Sequence, residues 1–201
     1  MFKGSTENNP HTIKTIATVL TTLFSPTTAS VIGMYGIYDA FIRETSDNAH
    51  LWLTIVFIYI LLSLVTLIVL LRLKLVSTID ISTREERPRV LALLILYSGL
   101  LLLATHMLGV SFAIPPLMLF ICSLIVASFI TLFWKISFHT FSVTLCILFL
   151  AHTYNNPTLI VLMIIPIIVA WTRVTLRKHT CAQTLGGIAL GIAAIVVWSL
   201  C

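Results

Sequence analysis

The chain has 201 residues, 59% of them hydrophobic and 9% charged, with a formal net charge of +5 and a mean hydropathy of +1.08. A soluble domain carries about 25% charged residues, so a soluble fold is excluded. The cations lie in short loops beside apolar segments, with no basic domain or glycine-rich arm to hold nucleic acid. Cys122, Cys146, Cys181 and Cys201 show no paired spacing and support neither a disulfide framework nor a zinc site.

The N-terminus, residues 1–10, is polar. No apolar run with a small-residue cleavage site follows it, so a removable signal peptide is not expected. Residues 11–24 are amphipathic, with Ile13, Ile16, Ala17, Leu20 and Leu23 at helical spacing. They read as a helix lying in the interface, and residues 1–24 as a unit apart from the transmembrane part, 25–201. Ser25 supplies an N-cap and Pro26 a first-turn proline for a short first span over 26–42.

Residues 51–71, 90–110 and 111–134 are uncharged runs of the length that crosses a hydrocarbon core about 30 Å thick. They place spans over 51–74, 89–108 and 112–134. Shorter spans follow over 139–154 and 157–171, and a last helix over 185–201. The expected fold is an all-α polytopic membrane bundle of six or seven transmembrane helices. In the polar connection 75–88, Ser82 with Glu85 and Thr83 with Glu86 fit capping boxes. Gly187-x-x-x-Gly191 would let the last helix pack closely on a neighbour, within the chain or in a homo-oligomer.

Counting spans puts the cationic clusters on one membrane face. Two spans separate Pro88 from Lys135, and two more separate His139 from Arg173, so each pair returns to its starting side. Arg84, Arg87, Lys135, Arg173, Arg177 and Lys178 then share a face with His139 and His179, while Arg43 lies opposite. Trp134 and Trp171 mark the interface on the cationic side. The positive-inside rule makes that side cytoplasmic, but it requires neither histidines nor clusters pressed against helix ends. Cations at such positions fit phosphate oxygens, which return charge-assisted hydrogen bonds worth about 1.5–3 kcal/mol each.

Arg173-x5-His179-x3-Gln183, preceded by Lys135-x-Ser137-Phe138-His139 and by Arg87-Pro88, resembles the type-2 phosphatidic acid phosphatase family of membrane lipid phosphatases, over roughly residues 80–190. The resemblance implies a nucleophilic His179 that takes the phosphoryl group, and a general acid, His139, that protonates the leaving oxygen. Arg87 and Arg173 would clamp phosphate oxygens, with Lys135 or Arg84 as a further cation. The turn at Ser137 and Phe138 would offer hydroxyl and backbone N–H donors. Phosphoryl transfer needs a positioned nucleophile and cations around the equatorial oxygens. Histidine suits both roles because it titrates near working pH. No metal or other cofactor is called for. The implied substrates are lipid phosphates and isoprenyl diphosphates, met among membrane lipids.

Three positions depart from the family pattern. Asp80 stands in place of a lysine, Phe138 in place of a glycine, and Gln183 in place of the aspartate that orients the nucleophile. With the last helix beginning near His179, the Gln183 amide oxygen would accept from Nδ1–H of His179, fixing a tautomer without the charge of a carboxylate. These departures support a second reading, a catalytically impaired lipid-phosphate-binding membrane protein. His106, His152 and Tyr97 read as interface or packing residues, and Cys181 as a small packing residue. A transporter would want charges at mid-membrane, and the spans show almost none.

Overall fold

The computed structural model describes residues 10–42, 49–79, 81 and 83–200. The polar segment 1–9 and Arg43, Asp80, Ser82 and Cys201 lie outside the described residues. Among those described there are eight α-helices and no strand. They are α1 (Pro10–Leu23), α2 (Pro26–Ile37), α3 (Ala49–Arg72), α4 (Arg87–Met107), α5 (Ile114–Phe133), α6 (Phe138–Thr153), α7 (Ile164–Thr175) and α8 (Cys181–Leu200). A π-helical turn, Tyr38–Ile42, extends α2, and the 3₁₀ segment Pro157–Met163 leads into α7. Six helical stretches among the described residues are long and apolar enough to cross a membrane, the first of them His11–Ala40. The chain is an integral membrane helix bundle, with wide apolar surfaces such as those of Phe57, Ile58, Ile68, Phe129 and Phe133 turned outward.

Local sequence explains most of the boundaries. Ser25 accepts from the Thr28 N–H at 3.2 Å and starts α2 at Pro26, where a missing N–H costs nothing. Pro88 occupies the first turn of α4 in the same way. No capping box forms at Thr83 and Glu86: the Glu86 carboxylate accepts instead from the N–H and hydroxyl of Ser77. The last helix begins at Cys181, four residues ahead of the expected start. A capping box explains this. The Thr180 N–H donates to Gln183 Oε1 at 3.1 Å, and the Gln183 N–H donates to Thr180 Oγ1 at 3.3 Å.

Helix α6 is the hub. Most of its residues are buried, and it packs against α2, α7, α8 and the 3₁₀ segment. Its contact with α8 is the closest in the bundle, because a Cβ on Gly187 would meet the Ser137 carbonyl at 2.5 Å, and one on Gly191 the Thr144 Cβ at 2.8 Å. The glycine face of α8 is thus used inside the chain. Helix α1 buries Ala17 of its apolar face, with Thr21 beside it, against α7, while Ile16 and Leu23 of that face are exposed. Helix α3 is the most loosely held, leaning mainly on α4 with sparse contacts to α2.

Candidate functional site

The site lies where the starts of α4, α6 and α8 meet the end of α7. Two loops are stitched together there. Lys135 Nζ donates to the Lys178 carbonyl at 3.0 Å, and the Ser137 N–H donates to the Gln183 carbonyl at 3.1 Å. The Thr140 hydroxyl lies between the carbonyls of Ser137 and Thr184, at 3.1 and 2.9 Å. The turn that delivers His179 bends at Arg177, whose φ of +54° is left-handed. The N–H groups of Lys178 and His179 then both return to the Arg173 carbonyl, a helix-closing geometry. Arg173 and His179 are thereby fixed relative to each other by backbone.

Arg87, Phe138, His139, Arg173 and His179 line one cavity of about 450 Å³. Both histidines and both arginines are buried. Arg87 Nε donates to the Ile81 carbonyl at 3.1 Å and Nη1 to the Ile136 carbonyl at 2.9 Å, while Nη2 lies 3.5 Å from His179 Nε2. A guanidinium only donates, so His179 Nε2 faces it as a lone pair and the ring proton sits on Nδ1. Ile81 holds its carbonyl at φ +46°, a costly conformation for a β-branched residue, and that carbonyl orients Arg87. The Arg87 guanidinium also lies 5.7 Å from the centre of the Phe138 ring, within cation–π range. Phe138 is helical, with no positive φ, so replacing a glycine introduces no backbone strain there.

Burial pushes the His179 pKa down to about 3, reinforced by Arg87, Arg173 and Lys135. The Gln183 side chain opposes this shift from nearby, although Nδ1 of His179 is buried with no hydrogen-bond partner among the described residues. The Gln183 amide oxygen accepts from the Thr180 N–H at 3.1 Å, which leaves it a second lone pair towards the neighbouring His179. Burial also lowers the Lys135 pKa, with Arg87, Arg173 and Lys178 acting in the same direction. The site thus gathers like charge, and burial together with that charge favours the neutral forms of His179 and Lys135.

Other expected site residues are placed differently. Ser137 is fully buried as the N-cap of α6, its hydroxyl accepting from the Thr140 N–H, and its own N–H is already engaged. Lys135 stands behind the cavity wall rather than in it. Arg84 is exposed on a separate shallow groove with Glu85, Pro88 and Thr131. Two contributors were not foreseen. Thr21 of α1 accepts from Arg173 Nη1 at 3.2 Å, and Ser142 lines the cavity one turn beyond His139. Thr21 falls four residues after Ala17 on the inward face of α1, so the helical periodicity could have pointed to it.

Among the described residues no group of three or more His, Cys, Asp or Glu could hold a metal ion. No protein-family model, curated protein or solved structure matches the chain. The functional reading rests on the residues themselves.

Proposed function

We propose that this protein is a membrane phosphatase acting on a lipid phosphate or isoprenyl diphosphate through a phosphohistidine at His179. The observation that carries this reading is the meeting, in one buried cavity, of Arg87, Arg173, His139 and His179, with Arg87 Nη2 3.5 Å from His179 Nε2. Four such residues from three separate sequence clusters have little reason to share a desolvated pocket unless an anion completes it.

In the proposed reaction the Nε2 lone pair attacks phosphorus and the bond from phosphorus to the lipid oxygen breaks. His139 gives that oxygen its proton. Water then attacks phosphorus while His139 takes its proton, the phosphorus–nitrogen bond breaks with its electron pair returning to Nε2 of His179, and inorganic phosphate leaves. Arg87 and Arg173 stabilise the charge on the equatorial oxygens throughout. A neutral His179 is ready to attack at physiological pH: burial keeps it neutral, reinforced by the arginines that hold the phosphate. We place the site on the cytoplasmic face, where the positive-inside rule puts these loops.

A second reading, lipid-phosphate binding without turnover, is favoured by the unpartnered Nδ1 of His179. A carboxylate there would stabilise the ring as charge develops. One experiment separates the two. Purified protein and its His179→Ala variant are given a single-chain alkyl phosphate, phosphatidic acid and an isoprenyl diphosphate. Phosphate release that disappears in the variant is expected. Release in neither protein, with binding retained in both, supports the binding reading, and release unchanged by the substitution sinks the proposed nucleophile.

A further inference from the structure

Below the charged end, the same cavity continues as an apolar shaft. It runs along α4 from Arg87 to Leu101, fourteen residues, or about 21 Å at 1.5 Å per residue. The hydroxyls on its wall are already engaged. Ser30 and Ser63 donate to carbonyls of their own helices, and Ser98 donates to the Leu94 carbonyl and pairs with the Tyr59 hydroxyl at 3.2 Å. A ligand in the shaft therefore meets a hydrocarbon surface.

The shaft also has a floor. Beyond Leu101 and Leu117 the bundle is packed solid by Trp52, Ile37 and Phe149, each fully buried. The Trp52 indole donates to the Thr105 hydroxyl at 3.2 Å and locks α3 to α4 at this level. The chain of a ligand cannot continue past this point towards the opposite face.

We infer that the cavity is a length gauge for a hydrocarbon chain of about sixteen carbons carrying a terminal phosphate. This rests on the reading of Arg87, Arg173 and His179 as a phosphate site and narrows the substrate by chain length. At about 1.3 Å per carbon of a zigzag chain built from ~1.5 Å bonds, 21 Å holds about sixteen carbons. A longer chain meets the floor at Leu101 and Leu117 and must bend to fit.

The test measures binding in the His179→Ala variant, so that turnover plays no part. Protein in lipid nanodiscs is titrated with n-alkyl phosphates of 10, 12, 16 and 20 carbons, and with hexadecanol. Because lipid surrounds the protein, added methylenes gain nothing by leaving water. Affinities from 10 to 16 carbons should therefore lie within about threefold, and the 20-carbon ligand should bind at least tenfold more weakly. Leu117→Ala, which removes part of the floor, should restore the 20-carbon ligand. Equal binding of all the phosphates would overturn the gauge and leave the phosphate site standing. Binding of hexadecanol as tight as that of its phosphate, or no binding at all, would sink both. The series on unaltered Leu117 decides the matter even where Leu117→Ala fails to fold.

Discussion

Arg173 Nη1 donates to the hydroxyl of Thr21 at 3.2 Å across 152 residues of sequence, with both side chains buried. The contact joins the amphipathic first helix to the most enclosed arginine of the site. It makes α1 part of the wall of the proposed site and ties it to the bundle.

Thr21→Val keeps the shape and removes the acceptor. A hydrogen bond to a charged group contributes about 1.5–3 kcal/mol, part of which water recovers, so alkyl phosphate affinity should fall about 5–30-fold. Thr21→Ser should restore most of it. Calorimetric titration of both variants checks this; equal affinity in Thr21→Val would mean that Arg173 is held by its other neighbours.

The depressed pKa of His179 has a signed consequence for stability. Its folded value of about 3 lies below the unfolded value of about 6.5. As pH falls, the unfolded chain takes up the proton first. The stability associated with the neutral ring is complete above pH ~6.5 and is lost progressively as pH drops from there towards 3. His179→Gln cannot take up that proton. Its melting temperature should fall less than that of the unaltered protein between pH 7 and 4.5, as read by thermal unfolding in detergent; parallel curves would disprove the assignment.

Gln183→Ala removes the capping box at the start of α8. Loss of a cap costs about 0.5–2 kcal/mol, so the melting temperature should drop by a few degrees while phosphate release changes less than threefold. Gln183→Glu keeps the cap and brings a carboxylate towards Nδ1 of His179, and turnover should rise. A collapse of activity in Gln183→Ala at unchanged stability would restore Gln183 as the orienting residue.

Glycine substitutions should split by position. Gly187→Ala drives a Cβ into the Ser137 carbonyl, an overpacking that costs about 1–3 kcal/mol and loosens the α6–α8 seam that carries both histidines. Gly99→Ala meets nothing within 4 Å and, being inside α4, should stabilise by up to about 1 kcal/mol. Unfolding midpoints of the two variants should move in opposite directions.

Cys181 is exposed at the first turn of α8 and reports sidedness. With Cys122 and Cys201 replaced by serine, a membrane-impermeant maleimide should label intact cells only after permeabilisation. Labelling without permeabilisation would put the site on the outer face.

The spans were legible because uncharged runs of twenty or so residues admit few other fates, and parity then gathered Arg87, His139, Arg173 and His179 at one end of the bundle. What the sequence hid were competitions for hydrogen bonds. Gln183 at a fixed distance from His179 looks like its partner, and nothing in the spacing shows that the same side chain also caps α8 through Thr180. Ser137 looks like a phosphate donor, but the first turn of α6 needs its hydroxyl and Gln183 occupies its N–H. The spacing from Ala17 places Thr21 on the inward face of α1, but its partner Arg173 lies 152 residues away, and no local pattern pairs the two. Arg84, three residues before Arg87, rests on the far side of the turn because helix α4 starts between them.

Helix α6 has 16 residues, a length of about 24 Å against a hydrocarbon core of about 30 Å. The helix at the centre of the bundle is thus shorter than the bilayer is thick, while the stretches around it are long enough to cross. The turns at its two ends, around Lys135 and around Asn155, can lie at membrane depth only because neighbouring helices cover them, so the polar backbone ahead of His139 is held inside the bundle and not at a lipid surface.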